Sequence, residues 1–291
     1  MAFTPYRIEP IGLFGSGSSS VNITGTQTLT SDTEYANLTI GSSGILNTDG
    51  YMLRVRGTLT IRSGGKIQNN GSSGGSTSGT DAGTAGAGAS SNGWMSAAAG
   101  SGGAGGTGGS VGTAGSTVGT TKTFQYGEVG GSGGNSQTGI AGGAGGALKT
   151  KITASDPLIN IFMRAPRYSS SSDAVYDLAI HGGAGGGGGG SATAGGGGGG
   201  GGGGVVWIAA RNLDNAGSIT ANGGNGGNTT ASYGGGTGRG GGGAGGGGGA
   251  VVMFVSNLIS QGTITANGGS GGTGINNGSA GTAGQVTIHR V

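Results

Sequence analysis

No cysteine occurs in this chain, so neither disulfides nor thiolate metal sites hold it together. Proline is nearly as scarce, with four residues in 291, beside 83 glycines. Collagen needs Gly at every third place together with abundant proline, and is excluded. Charged residues make up 8% and aromatic residues 5%. The net charge is only +3, whereas disordered chains combine low hydrophobicity with high net charge. Thirteen basic residues against ten acidic ones are too dilute for a nucleic-acid partner. Their one local concentration, Arg54, Arg56, Arg62 and Lys66, falls in a strand-like segment and reads as a solvated face. No apolar run approaches the roughly 20 residues of a membrane span. Residues 1–7 carry no basic start leading into an apolar stretch, so neither membrane insertion nor a secretory leader is expected. No segment keeps the 3.6-residue apolar period of a helix, which leaves an all-β class.

What the chain does have is repetition. Residues 205–227 (VVWIAARNLDNAGSITANGGNGG) recur at 250–272 (AVVMFVSNLISQGTITANGGSGG), offset by 45 residues. Weaker copies of the ending lie at 67–75 (IQNNGSSGG) and 178–186 (LAIHGGAGG). Each full repeat reads as an apolar strand, a turn at Asn-Leu, a second short strand, and a Gly-rich excursion. The strands at 205–210 and 250–255 are apolar on both faces, so both faces need covering. Trp207, Val252 and Phe254 are the residues expected to line those faces, in the core or between subunits. Further upstream, 36–71 alternates in short β-rungs separated by turn residues. The expected divisions are an N-terminal attachment segment at 1–35, the rungs at 36–71, a Gly/Ser/Ala-rich segment at 72–146, and the repeat domain at 147–291. Within the last, 159–163 and 175–180 read as strands.

Ordering glycine is costly, roughly 1–2 kcal/mol of backbone entropy per residue. The runs at 185–190, 195–204, 240–243 and 245–249 therefore need dense hydrogen bonding if they are not flexible linkers. Polyproline-II-like helices packed side by side supply it, since three-residue turns point the amides sideways and no Cβ keeps neighbours apart. A β-ladder or an irregular coil in these runs would contradict that expectation.

Sites for chemistry are hard to find. G-x-G-x-x-G matches carry no weight in so Gly-rich a chain, and Gly65-Lys66-Ile67 fails the phosphate-loop pattern. His181 and His289 stand far apart, and Asp32, Glu34, Asp49, Asp81 and Asp173 are scattered. No catalytic, metal or cofactor residue is assigned, and no enzymatic activity is expected. Trp94, Met95, Phe124, Tyr126 and Tyr233 sit in polar stretches, where they either plug glycine layers or anchor a ligand. With Arg239 they are the receptor-binding candidates.

The four Gly-rich motif copies and the runs joining them resemble the tips of T-even-type phage tail-fibre adhesins, and 36–71 resembles the β-solenoid rungs of phage fibres and tailspikes. The resemblance implies a sandwich of polyglycine-II helices with receptor-contacting loops, here 228–238 and 273–280. It implies a virion structural protein (tail fibre, spike or capsid-decorating fibre) assembled in the host cytoplasm and joined to other virion proteins through its N-terminal segment. The doubly apolar strands add the expectation of a homo-oligomer, a trimer about the fibre axis. Two other classes compete. An ice- or surface-binding protein would need a ranked Thr or Ala array, and a cell-wall or matrix protein would need a signal peptide.

Overall fold

The structure is a computed structural model, and it describes residues 12–77, 79–93, 96–118, 124–125, 127–147, 180–229 and 238–291. Regular structure among them is strand throughout: β1 (Ser20–Ile23), β2 (Thr26–Thr28), β3 (Thr33–Tyr35), β4 (Asn37–Ile40), β5 (Ile45–Asn47), β6 (Met52–Ile61), β7 (Lys66–Gln68), β8 (Ser96–Ala97), β9 (Phe124–Gln125), β10 (Ile180–His181), β11 (Val205–Asn215), β12 (Ser218–Thr220), β13 (Ala250–Ser260), β14 (Thr263–Thr265) and β15 (Gln285–Arg290). The class is all-β, as the sequence predicts. The segment at 159–163 lies outside the described residues, as does all of 175–180 but Ile180.

All pairing is parallel. A seven-stranded sheet runs β1-β4-β6-β11-β13-β15, with β3 also on β6, and a five-stranded sheet runs β14-β12-β7-β5-β2. Successive passes of the chain therefore lay one strand on each sheet. Like residues stack in columns: Leu38, Leu59, Leu213 and Leu258 on one sheet, and Leu46, Ile67, Ile219 and Ile264 on the other. All but the last member of each column are fully buried between the sheets.

Two expected boundaries dissolve in this stack. β6, from the upstream rungs, pairs directly with β11 of the repeat, so the chain leaves the sheets near Gly71 and rejoins them 130 or so residues later without starting a new sheet. The described part of the 1–35 segment likewise joins the same sheets through β1, β2 and β3. The Asn-Leu pair is not a turn. Asn212 and Leu213 lie inside β11, and Asn212 Oδ1 accepts from Asn257 Nδ2 at 3.4 Å along a polar column. The reversal comes three residues later, where buried Asn215 accepts from the Gly217 amide at 2.9 Å and donates to the Gln261 carbonyl at 2.6 Å.

The second apolar face of β11 and β13 carries its own core: Phe14, Met52, Val205, Trp207, Ala209, Ala250, Val252 and Phe254. Trp207 stacks on Phe254 with centroids 5.1 Å apart, and Phe254 stacks on His289 at 4.9 Å. Trp207 is 2% exposed and Phe254 5% within a single chain. Of the two places the sequence allows for these side chains, in the core or between subunits, the single chain already supplies the first.

The Gly-rich excursions form straight segments: g1 (69–77), g2 (82–89), g3 (98–106), g4 (110–118), g5 (127–136), g6 (140–147), g7 (182–190), g8 (195–204), g9 (221–229), g10 (238–249), g11 (266–274) and g12 (278–284). Their hydrogen bonds have a period of three. Along g8 the amides of 196, 199 and 202 donate to carbonyls of g3; those of 197, 200 and 203 to g10; and those of 198, 201 and 204 to g1, all at 2.8–3.0 Å. The carbonyls of g8 accept in the same rotation, from g2, g7 and g9, and at Gly204 from the Ala250 amide. Six neighbours around a three-residue screw is the polyglycine-II arrangement, and ten residues at about 3.1 Å each give g8 a length near 30 Å. Glycines with φ between +50° and +100° occur at turns and not within the four all-Gly runs, so the runs share one hand.

Segments g7 and g10 also have six neighbours each: g3, g4, g5, g6, g8 and g10 for g7, and g5, g7, g8, g9, g11 and g12 for g10. These three segments touch one another and form the centre of a hexagonally packed bundle. The other nine close a ring around them in the order g1, g2, g3, g4, g6, g5, g12, g11, g9. Sequence composition follows position. The all-Gly runs lie in the central segments, where every residue of those runs is buried, while g9 and g11 in the ring bury every third residue (221, 224 and 227, or 266, 269 and 272) and carry Asn, Ser, Thr or Gly on the others.

A Cβ on central Gly201 would overlap the Ala87 carbonyl, whereas a Cβ on Gly25 at the β1–β2 turn meets nothing within 4 Å. Gly201→Ala is therefore expected to destabilise by at least about 3 kcal/mol in denaturant unfolding. Gly25→Ala should stay within about 0.5 kcal/mol of the parent.

Candidate functional site

Each Gly-rich segment starts or ends at the sheets, and consecutive segments form out-and-back pairs: g1/g2, g3/g4, g5/g6, g7/g8, g9/g10 and g11/g12. The described turns within these pairs therefore fall at the end of the bundle opposite the sheets. That loop end is the candidate site.

The reversals are built by short polar turns. At 107–110, Gly108 and Gly109 take φ of +52° and +84°, and the Ser110 amide donates to the Thr107 carbonyl at 2.9 Å. Two successive positive φ values make the tight turn suited to reversing straight strands. At 136–140, Gly139 has φ +80° and the Ile140 amide donates to Ser136 Oγ at 3.1 Å. The buried Ser191 hydroxyl donates to the Ala194 carbonyl at 3.0 Å, and Thr77 Oγ1 to that of Asp81 at 2.6 Å. At the last tip the Gly274 amide donates to Asn277 Oδ1 at 3.2 Å.

Two of these turns and the start of g10 are tied into one patch. The Gln137 amide donates to the Arg239 carbonyl at 3.0 Å, the Ile275 amide to that of Gly240 at 3.1 Å, and Asn276 Nδ2 to that of Asn135 at 3.0 Å. Arg239 and Ile275 are exposed there together with Gln137, Asn276 and Asn277. The patch offers amide donors and acceptors, one guanidinium and one aliphatic side chain, all on backbone fixed by the bundle.

Of the sequence candidates, Arg239 belongs to this patch. Trp94, Met95, Tyr126 and Tyr233 lie outside the described residues. Phe124 begins β9, which pairs with β10, as does β8, in a small parallel sheet where g3, g5 and g7 begin. Its backbone therefore stands at the sheet end rather than among the loop tips. Loop 273–280 is part of the loop end, and so are 228, 229 and 238, whereas 230–237 lie outside the described residues. Gln137 escaped sequence reasoning because nothing local marks it, and Ile275 and Asn277 were covered only as part of loop 273–280: the proximity of the three comes from lattice order.

One side of the bundle, formed by g1, g9 and g11, explains the Asn of the repeated motif. The Asn222 amide donates to Asn70 Oδ1 at 2.7 Å, and Asn222 Oδ1 in turn accepts from the Asn267 amide at 2.8 Å. Asn225 and Asn228 do the same for Ser270 and Thr273, at 2.9 and 2.8 Å. An outward-pointing amide on a ring segment has no segment outside it to bond, and a side-chain oxygen takes that place.

Carboxylates are engaged in structural bonds. Asp32 accepts from the Met52 amide at 2.9 Å, Asp49 from Asn92 at 2.6 Å and Asp214 from Ser260 at 2.6 Å. Glu34 accepts from the Ser16 amide at 2.7 Å and from Arg54 at 2.8 Å, clasping the entering chain to β3 and β6. The Ser16 amide, then the Arg54 guanidinium, hold its pKa below the ordinary 4.5. Among the described residues no three His, Cys, Asp or Glu side chains gather as a metal site, and no helix is long and apolar enough to cross a membrane. No family model, curated protein or solved structure matches the chain.

Because the folded Glu34 pKa is depressed, its clasp stabilises fully above the ordinary carboxylate range and loses that contribution as pH falls through the folded value. Glu34→Gln is expected to cost about 1 kcal/mol at neutral pH, given the partial exposure of the pair. The gap between parent and variant in melting temperature should close on acidification. A gap that persists at acid pH would contradict the assignment.

Proposed function

We propose that this is a non-enzymatic virion protein of tail-fibre or spike type, which presents the loop end of its glycine bundle to a receptor on the host surface. In this reading the stacked strands are β-solenoid rungs that carry the bundle, the N-terminal segment joins other virion proteins, and the working unit is a homo-oligomer. The observation that carries the proposal is the gathering of the described turns within the glycine-segment pairs at one end of the bundle, where amides and side chains tie neighbouring tips into one patch.

The physical case rests on preorganisation. Recognition loops ordinarily lose entropy on binding, and a rigid support removes much of that cost. Here the tips are spaced by neighbouring segments whose backbones bond to one another at 2.7–3.4 Å, and side chains at the tips fasten one loop to the next. The exposed chemistry at Gln137, Arg239, Ile275, Asn276 and Asn277 suits a polar, hydroxyl-bearing surface such as a cell-envelope glycan. An interface centred on a few such residues is expected to concentrate its energy in one or two of them.

Fluorescently labelled protein incubated with a panel of bacterial cells tests this. Arg239→Ala combined with Ile275→Ala is expected to weaken cell binding about tenfold or more, with an unchanged melting temperature. Ser73→Ala and Ser270→Ala, on the side of the bundle, should leave binding intact. Binding that survives the tip changes and fails with the side changes would overturn the proposal, as would absence of binding to every cell type.

A further inference from the structure

The two ends of the strand stack differ in chemistry. At the end formed by β1 and β2, Ser20 and Asn22 are exposed, and Thr26, Gln27 and Thr28 are exposed throughout. That end is capped by polar side chains. At the other end the sheets finish at β15 and β14, and the apolar columns run out into the open. Leu258, Ile264 and Ile288 are only partly covered there. Ile259 is 58% exposed, and Val286 and Val291 38% each. These three account for half of the large apolar side chains exposed among the described residues.

Among the described residues the edge itself is also open. β15 lies last in its sheet and pairs with β13 along six residues. The Gln285 and Val291 amides donate towards β13, to Gly249 and Val255. By the alternation of a strand, the amides of Val286, Ile288 and Arg290 point the other way. Unpaired edge groups beside apolar side chains are a template for another strand.

We infer that this end is an interface with a second copy of the same chain, related by a two-fold axis, with β15 pairing antiparallel to β15 of the copy. Stacking head to tail would set the apolar end against the polar cap of β1 and β2, which leaves Leu258 and Ile264 facing Ser, Asn and Gln. Among the described residues, the surface of matching chemistry is the same end of another molecule. Centring the pair on Ile288 keeps core-facing residues on one face and sets Arg290 of each chain beside Val286 of the other, with no like charges opposed. Such an isologous contact closes on itself and leaves both polar caps outward, so it does not grow into a filament. An edge accepts one strand, so this surface supports a dimer rather than the trimer expected from the doubly apolar strands. The inference stands whether or not the loop end binds a receptor.

Sedimentation of the full chain at micromolar concentration should give about twice the monomer mass of 26.9 kDa. Hydrogen exchange should show the amides of Val286, Ile288 and Arg290 protected. Ile259→Glu, at a largely exposed side chain, is expected to yield a monomer with an unchanged melting temperature and to release those three amides. Val286→Pro, which removes an outward donor, should do the same. A monomeric parent, an assembly larger than a dimer, or a dimer that survives both substitutions with its edge amides unprotected would overturn the inference.

Discussion

Everything in this molecule depends on the sideways hydrogen bond of an extended glycine backbone. A polyglycine-II segment makes no hydrogen bonds within itself, so every buried amide must find its acceptor on another segment. That requirement fixes the packing. Segments with neighbours on all sides have no room for a Cβ, as the overlap of a Gly201 side chain with the Ala87 carbonyl makes plain. Segments with one free side can carry small polar groups there. Glycine content is thus a map of depth: g7, g8 and g10 are central because they are glycine, and they are glycine because they are central.

The strand stack supplies what the glycine bundle lacks, an apolar core that sets register. β11 and β13 continue directly from g8 and g10, so Val205 opposite Ala250 in the sheet follows from Gly204 and Ala250 sharing a hydrogen bond at 2.9 Å. The 45-residue repeat is the length of one circuit: a strand on each sheet, a segment out, a reversal, and a segment back. Columns such as Leu59, Leu213 and Leu258 lock that circuit with branched side chains. A slip by one residue would place every apolar side chain on the wrong face. Lateral order in the bundle is inherited from vertical order in the sheets.

Much of this was legible in the amino acids. The strands at 38–40, 45–46, 53–55, 59–61, 205–210 and 250–255 follow from β-branched alternation and short apolar runs, although the two at 53–61 are one continuous β6, and the glycine conformation follows from the need to satisfy buried amides. Three things were not. The place of the Asn-Leu pair could not be read, because a column of Asn side chains in a strand resembles a turn when viewed along one chain. The joining of β6 to β11 could not be read either, since it is a contact between residues some 150 positions apart. Nor could the patch around Arg239, where Gln137, Ile275 and Asn276 meet only because g5, g10, g11 and g12 are neighbours in the hexagonal array. Arg239 itself was visible as a lone cation in a glycine stretch, without its surroundings.

The absence of internal hydrogen bonds in each glycine segment has a kinetic consequence. An α-helix can fray from its ends, because the remaining turns keep their own bonds. Withdrawing one polyglycine segment from the centre strips hydrogen-bond partners from six others at once, so no intermediate opening is cheap. Proteases and hydrogen exchange act on partially opened forms, and their populations decide how long a protein survives outside a cell. For the three central segments the smallest opening is close to the whole bundle. Persistence here comes from the cooperativity of a lattice and not from the strength of any single contact.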